Sequence, residues 1–245
     1  MAEIRIGCTG FYYDHWKGTF YPEDVPKNHW LEYYSKHFST VEINVTFYRL
    51  PERETFAKWC LSTPDDFVFS LKGSRFITHV KKLKDCEEPL DAFYSRASVL
   101  KDKLSAILWQ FPPTFNMDIE RLKDFLNALK PYSLNNAFEF RNKSWINKKV
   151  FHLLEKYNAA VCMADHPDYL ADVPVTADFI YVRRHGTEGN SATYYGMDSL
   201  KEDAKFIKTL ARQKKDVYFY FNNDAFGYAP KNAAEIIGLI SKKKR

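Results

Sequence analysis

Short hydrophobic runs alternate with amphipathic stretches along the whole chain. The runs have four or five residues and are rich in β-branched and aromatic side chains, which predicts strands. They are Ile4–Cys8, Val41–Val45, Phe67–Leu71, Ser105–Trp109, Ala137–Phe140, Ala159–Met163, Phe179–Arg183 and Val217–Phe221. Between many of these runs, apolar residues recur at helical spacing. The clearest predicted helices lie over Ile119–Leu129, Val150–Tyr157, Leu200–Ala211 and Ala233–Ile240.

Strands that alternate with helices pair in parallel through right-handed crossovers. The pattern therefore predicts an α/β fold, a single TIM-type (β/α)8 barrel with long loops after strands 1 and 3, at Thr9–Lys27 and Lys72–Pro89. No repeat, low-complexity segment or linker divides the sequence. Its 245 residues fit one such domain over residues 1–245.

The segment VEINVTFYRLP, residues 41–51, carries a carboxylate and an amide in a run that reads as buried. Val41 and Ile43 alternate with Glu42 and Asn44. In a barrel one strand face meets the helices and the other faces the interior, so neither face is open to water. Polar residues on the inward face belong at the carboxyl-terminal mouth, where barrel enzymes hold their catalytic groups. Glu42 and Asn44 are therefore candidates for a site.

Polar side chains alternate with apolar ones at the ends of six other predicted strands. They are Lys72, Gln110, Glu139 and Arg141, Asp165, Arg183 and His185, and Asn222. Burying a polar group without a partner costs roughly a few kcal/mol. Because polar residues recur at the ends of so many strands, a functional site at the mouth explains them better than core packing does. We expect the side chains of Glu42, Lys72, Glu139, Arg141, Arg183 and His185 to converge at one end of the barrel.

The predicted ring contains charges of both signs. Glu42, Glu139 and Asp165 oppose Lys72, Arg141 and Arg183, and His185 titrates near neutrality. Such a ring suits a small anionic ligand held by the cations while a carboxylate or histidine moves protons. The alternative is an ion-pair network that only stabilises the fold. If the cations bind a ligand, at least one guanidinium should stay open to it, and replacing Arg183 should cost the fold little.

Composition and charge narrow the setting. The net charge is +5, but residues 242–245 supply four basic groups, so the rest of the chain carries only +1. This basic C-terminal tail makes nucleic acid a weaker candidate partner than a small anion. Four scattered cysteines without a CxxC pair favour free thiols. With neither a signal-peptide pattern nor a long apolar run, we expect a cytoplasmic protein without membrane contact. The oligomeric state stays open.

Several motifs resemble the successive blocks of a known family. They are IGCTGFYYDHWKGTFYP, VEINVTFYRLP, FVFSLKGSRFITH, LWQFPPTF, AFEFRNKSW, YVRRHG and YFNND. Together they resemble the YecE-like family (domain of unknown function 72), a set of TIM-type barrels with no established reaction. The resemblance implies site positions at Glu42, Asn44, Lys72, Thr78, His79, Gln110, Glu139, Arg141, Arg183, His185, Gly186, Asn222 and Asn223. Phe11 departs from the family, which often has Trp there.

Aromatic residues in the loops on the same side add candidates for ligand contact. They include Tyr12, Tyr48 and Trp145, which can either pack as a lid or stack on a sugar or base. The sequence does not separate these two roles.

The leading functional hypothesis is a hydrolase or lyase that needs no metal or other cofactor. Glu42 or Glu139 would act as the general base, His185 as an acid or shuttle, and Lys72, Arg141 and Arg183 as the anion clamp. One alternative is a divalent-metal phosphoesterase, acting on nucleic acid or not, whose ligands are Glu42, Glu139, Asp165 and His185. A glycosidase that uses the pair Glu42 and Glu139 is another alternative. A non-catalytic ligand-binding protein is the third.

Overall fold

A computed structural model describes residues 2–165, 173–186 and 189–241. Its strands are β1 Ile4–Cys8, β2 Thr40–Ile43, β3 Val68–Lys72, β4 Leu104–Gln110, β5 Asn135–Glu139, β6 Ala160–Ala164, β7 Phe179–Arg184 and β8 Asp216–Phe221. Its α-helices are α1 Trp30–Ser35, α2 Val45–Tyr48, α3 Arg53–Leu61, α4 Glu87–Ala97, α5 Ile119–Leu129, α6 Lys148–Lys156, α7 Met197–Arg212 and α8 Tyr228–Ser241. Short 3-10 turns lie at Asp14–Trp16, Lys27–His29, Ser98–Lys103, Lys130–Tyr132, Lys143–Trp145 and Ala225–Gly227, and a π-helical turn at Phe76–Val80.

The strands form a TIM-type (β/α)8 barrel, as the alternating pattern predicts. All seven strand ladders are parallel, in the order β1-β8-β7-β6-β5-β4-β3-β2. A bridge between Thr9 and Glu42 joins β1 to β2, and the Gly10 amide donates to the Glu42 carbonyl at 2.7 Å. The four helices predicted above correspond to α5, α6, α7 and α8. Strand boundaries shift by only a few residues.

The long loops lie where the sequence predicts them. In the described residues between β6 and β7 there is no helix. The four cysteines are free thiols, as expected. Among the described helices, none combines the length and apolar character needed to cross a membrane. The basic tail, residues 242–245, lies outside the described residues.

Two apolar layers fill the molecule, one between strands and helices and one inside the barrel. The inner layer takes small residues from β4 to β6 and tyrosines from β7 and β8, so the large rings fill the space that alanines leave. The Tyr220 hydroxyl lies 2.8 Å from the Thr40 hydroxyl and 2.7 Å from the Ser70 hydroxyl. The lower barrel is therefore packed solid, and charged side chains have room only at the mouth.

The seam between β1 and β2 is bridged by a side chain. The Tyr34 hydroxyl accepts from the Cys8 amide at 2.7 Å and donates to the Thr40 carbonyl at 3.0 Å, so it pairs two backbone groups across the seam. Gly7 makes room for this arrangement, because a Cβ at this position would lie 2.2 Å from the Thr40 oxygen. The closing strands therefore depend on one buried hydroxyl and one glycine.

Replacing Tyr34 with Phe is expected to destabilise the fold by about 2 kcal/mol, because both buried backbone groups lose their partner. Urea unfolding monitored by circular dichroism measures this loss. Tyr33→Phe on the same helix is the control, since the described structure shows no hydrogen bond from its hydroxyl. Equal stability of Tyr34→Phe and the parent protein would show that the seam does not need the hydroxyl.

Candidate functional site

The centre of the mouth is one guanidinium that bridges two carboxylates. Arg183 donates from Nη1 to Glu139 Oε2 at 2.6 Å and from Nη2 to Glu42 Oε1 at 2.9 Å. All three side chains are almost completely buried, with at most 1% exposed. Their strands, β7, β5 and β2, carry them inward because each lies in phase with the inner apolar layer. The predicted convergence of these three residues is confirmed by the geometry.

The same geometry corrects the assignment of Arg183 to the anion clamp. Both terminal nitrogens of its guanidinium are used by carboxylates, and its Nε is buried without a hydrogen-bond partner among the described residues. The physical reason is proximity, because β7 faces β2 and β5 across the interior. Breaking a buried ion pair leaves an uncompensated charge, so Arg183 is tied to the stability of the mouth.

Each carboxylate has further partners. Glu42 accepts from the Thr9 hydroxyl at 3.0 Å and from the Tyr181 hydroxyl at 2.6 Å. Glu139 accepts from Arg141 Nε at 3.1 Å. Burial by itself opposes ionisation of Glu139, but Arg183, His185 and Arg141 outweigh it and hold the pKa of that carboxyl well below its usual range. Glu139 is therefore anionic at any working pH, and a weak proton acceptor. The catalytic roles predicted for Glu42 and Glu139 remain predictions.

His185 lies against this network. The Asn222 amide group lies 2.9 Å from its Nδ1, and Arg183 Nη1 lies 3.3 Å from its Nε2. The same Nε2 lies 3.8 Å from Glu139 Oε2. Burial, and next the charge of Arg183, lower the pKa of His185 from its usual value. His185 is therefore a neutral imidazole at neutral pH.

Lys72 differs from the other charged residues of the mouth in the contacts of its charged group. Its side chain is inward and its residue only 7% exposed, yet the described structure shows no hydrogen bond or ion pair to its ammonium. The ammonium instead lies 4.3 Å from the centre of the Phe47 ring. Burial, and next the charge of Arg183, lower the pKa of Lys72 to about 8.

Local structure explains how Phe47 reaches Lys72. The chain turns from β2 directly into the short helix α2, and the Thr46 hydroxyl donates to the Lys72 carbonyl at 2.7 Å. This bond fixes α2 over the end of β3. The next residue, Gly73, packs against Trp109, where a Cβ would come within 2.2 Å of the ring. Lys72 is thus held between α2 and the β3–β4 pair.

His79 contacts the same Phe47 ring as Lys72. The His79 and Phe47 rings meet edge to face with their centres 5.0 Å apart, and the Thr78 hydroxyl lies 2.9 Å from His79 Nδ1. Partial burial, and next the charge of Lys72, lower the pKa of His79 to about 4. His79 lies on the π-helical turn Phe76–Val80, a local irregularity that often occurs at functional sites.

Some of the remaining candidates lie at or beside the mouth, and the others point away from it. Gln110 is buried on the inward face, and its amide donates to the Phe111 carbonyl at 3.0 Å. Asn44 and Tyr12 line a cavity of about 360 Å³ beside the mouth, and in the part of the chain that the structure describes Asn44 Oδ1 is buried without a hydrogen-bond partner. Tyr48 is 77% exposed at the rim, in edge contact with Phe47.

Trp145 and Asn223 point away from the mouth. Trp145 is buried against Phe140, with ring centres 5.2 Å apart, and donates to the Phe115 carbonyl at 2.6 Å. Asn223 donates to Asn232 on α8 at 3.0 Å and to the Thr193 carbonyl at 2.8 Å. Both residues pack outside the strands, so neither side chain is placed to contact a ligand in the mouth.

The structure also corrects the predicted orientation of Asp165. Strand β6 turns Ala160, Cys162 and Ala164 inward, so Asp165 follows on the outer side. Its carboxylate accepts from the His185 amide at 2.7 Å and contacts Tyr195 and Arg184. The four alternative metal ligands are therefore not gathered around one point. Within the described ranges, no group of three or more His, Cys, Asp or Glu side chains is arranged to hold a metal ion.

Sequence reasoning missed Thr9 and Phe47, which both shape the site. Thr9 lies in phase with the inner layer, so strand alternation could have identified it. Alternation does place Tyr181 on the same strand face as Arg183, and its hydroxyl binds Glu42. Phe47 gave no such signal, because it follows the predicted strand Val41–Val45 and no helix is predicted over α2.

Comparison with known proteins identifies the family. Residues 5–245 match the family described as "Protein of unknown function DUF72". The UPF0759 protein YunF of Bacillus subtilis is 28% identical over 272 residues, covering 97% of this chain and 94% of YunF. The UPF0759 protein YecE of Escherichia coli K12 is 34% identical over 119 residues, covering 48% of this chain and 43% of YecE.

Solved structures agree with this match. A DUF72 family protein from Thermotoga maritima is similar with a TM-score of 0.86 and 29% identity, covering 98% of this chain and 100% of the other. D-psicose 3-epimerase is similar in fold alone, with a TM-score of 0.61 and 10% identity, over 96% of this chain and 97% of the epimerase. Because the family match spans nearly all residues, the chain belongs to the DUF72 family of TIM-type barrel proteins.

Proposed function

We propose that this protein is an enzyme of the lyase or hydrolase type that binds a small anionic molecule at the mouth of the barrel, against Lys72. The charges of the mouth support the proposal. Two carboxylates, Glu42 and Glu139, are opposed by three cations, Lys72, Arg141 and Arg183, which leaves one positive charge in excess. The neutral rings of His79 and His185 do not change this balance.

The single observation that carries the proposal is the state of the Lys72 ammonium. The residue is only 7% exposed, its ammonium has no hydrogen bond or ion pair in the described structure, and its nitrogen keeps some access to solvent. A largely desolvated charge without a partner is costly. Lys103 shows what a buried structural lysine looks like. Its ammonium donates to the Cys60 carbonyl at 2.7 Å, to the Thr63 carbonyl at 2.8 Å and to the Thr63 hydroxyl at 3.3 Å. An incoming anion would give the Lys72 ammonium hydrogen-bond acceptors, which the Lys103 ammonium already has.

The other charged groups have supporting roles in this proposal. Arg183 holds the two carboxylates in place, and Arg141, whose side chain is 31% exposed, borders the mouth through its bond to Glu139. Because the two arginines offset the two carboxylates, the excess positive charge of the mouth lies on Lys72, where it favours an anion. His79 and His185 are neutral imidazoles on either side of the charge network, and neutral imidazole can both accept and donate a proton.

The proposal is tested by thermal unfolding in increasing inorganic phosphate at constant ionic strength. Ligand that binds only the folded state raises the melting temperature, by an amount equivalent to about 2.7 kcal/mol at a hundredfold excess over the dissociation constant. We expect this rise in the parent protein and its loss in Lys72→Met, because the variant lacks the ammonium.

Lys103→Met is the matched control for the removal of a buried lysine. Although this variant should melt at a lower temperature, it should keep the full phosphate-dependent rise. An equal rise in Lys72→Met and the parent protein, or no rise in either, would overturn the proposed anion site.

A further inference from the structure

We propose that Lys72 forms an imine with the carbonyl group of its substrate, so that the substrate class is a small anion bearing an aldehyde or ketone. This inference rests on the proposed function and deepens it, because it gives the same ammonium group a covalent role. It replaces a general lyase or hydrolase assignment with carbonyl chemistry on a named nitrogen.

The Lys72 nitrogen is available for reaction. A lysine nitrogen must lose a proton before it attacks a carbonyl, and acceptors that hold its N–H hydrogens oppose that loss. In the described structure the Lys72 nitrogen has no hydrogen-bond partner, and the Phe47 ring beside it neither donates nor removes a proton. The Lys103 nitrogen is committed to three acceptors, so it serves as the internal contrast.

A substantial fraction of Lys72 is free amine near neutral pH. Burial and the charge of Arg183 bring the pKa of Lys72 to about 8. At pH 7.5 about a quarter of such a group is neutral, against on the order of 0.1% for a solvent-exposed lysine. Lys72 therefore offers roughly a hundredfold more nucleophile than the lysines on the surface.

The surroundings of Lys72 suit imine formation. The Lys72 nitrogen forms a bond to the carbonyl carbon, and the carbonyl oxygen takes a proton to give a carbinolamine. Loss of that hydroxyl as water gives the protonated imine, so the amine, the carbonyl compound and one proton become an iminium ion and water. His79 contacts the same Phe47 ring and stays neutral, so it can carry the proton from nitrogen to the departing hydroxyl.

The charge of Lys72 itself favours an acidic group on the substrate. Arg141 and Arg183 are offset by Glu139 and Glu42, so the excess positive charge lies on Lys72 and favours a carboxylate or phosphate on the carbonyl compound. Once Lys72 becomes an iminium ion, it keeps its positive charge, so the substrate anion remains balanced through the reaction.

The test is reductive trapping with pyruvate and sodium cyanoborohydride, followed by peptide mass mapping. The reductant delivers hydride to the imine carbon and leaves a stable secondary amine on the lysine. We expect Lys72 to be modified at least tenfold more than exposed lysines such as Lys36 and Lys201. Lys103→Met should give the same adduct on Lys72. Modification of Lys72 no greater than that of the exposed lysines would overturn the imine.

Two comparisons separate this inference from the anion site itself. Lactate has the charge and size of pyruvate without the ketone, so it should raise the melting temperature but give no adduct. Lys72→Arg keeps a positive charge that cannot form an imine, so it should retain the rise in melting temperature with pyruvate and lose the adduct. If pyruvate raises the melting temperature through Lys72 without any adduct, the imine is wrong and the anion site stands. If neither phosphate nor pyruvate has an effect and no adduct forms, both are wrong.

Discussion

Replacing Arg183 with Met is expected to lower the free energy of unfolding by about 3–5 kcal/mol, or to prevent folding altogether. The guanidinium neutralises both Glu42 and Glu139, at 2.9 and 2.6 Å, and all three side chains are at most 1% exposed. Without it, two buried carboxylates remain close together, and within the described residues Arg141 is the one remaining arginine or lysine paired with either of them. Urea unfolding followed by circular dichroism measures the loss.

A rescue variant shows whether charge is the cause. Arg183→Met combined with Glu42→Gln and Glu139→Gln buries no net charge at these positions, so it should recover much of the loss and remain measurable if Arg183→Met itself does not fold. Arg121→Met is the control, since its pair with Asp118 is partly exposed and such pairs contribute at most about 1 kcal/mol. A triple variant less stable than Arg183→Met would contradict the charge argument.

The sequence predicts the inward residues well where polar and apolar side chains alternate. In β2, β5 and β7 the alternation is visible, because Glu42, Glu139 and Arg183 each follow apolar neighbours that face the helices. The direction of a side chain in a strand follows from backbone geometry alone, with a period of two. That is why the convergence of these residues could be predicted without coordinates.

Alternation fails where a strand offers no contrast. Strand β6, with sequence AVCMA, is apolar on both faces, so the sequence does not show which parity faces inward. Alternation in phase with Val161 and Met163 predicts that Asp165 faces the barrel interior, whereas its carboxylate lies on the outer side of the strand and pairs with Arg184. Asn223 was a candidate only through the family resemblance, and it lies beyond the end of β8 and packs on α8.

Partners across the barrel are also beyond the sequence. Counting charges groups Lys72 with Arg141 and Arg183 as one clamp, but only distances show that the carboxylates take both arginines and leave Lys72 without either. The platform under Lys72 depends on helix α2, which begins at Val45 inside the predicted strand. A helix rotates its side chains by about 100° per residue, so strand alternation does not predict the position of Phe47.

Replacing Lys72 with Met is expected to stabilise the protein at pH 7, by up to roughly 3 kcal/mol. The pKa of Lys72 is lowered from 10.5 to about 8 because burial penalises its charged form. The folded state therefore binds fewer protons than the unfolded state between these two pH values. By proton linkage, Lys72 destabilises the folded state fully below pH 8, and this destabilisation disappears as the pH rises towards 10.5. The contribution of Lys72 to the stability of the parent protein therefore rises with pH across this window. Lys103→Met should show the opposite sign, because it leaves three acceptors without their donor.

Unfolding free energies of the parent protein and Lys72→Met, measured between pH 7 and pH 10, test this expectation. The gap between the two proteins should narrow as the pH rises, since the parent protein loses its buried charge while the variant has none to lose. Phosphate at pH 7 should also reduce the difference in unfolding free energy between the two proteins, because an anion beside the Lys72 ammonium offsets part of the cost of removing that charge from water. A Lys72→Met variant less stable than the parent protein at pH 7 would show that the ammonium already has a favourable partner. In that case the mouth would be a self-contained charge network, and the case for a ligand at Lys72 would be lost.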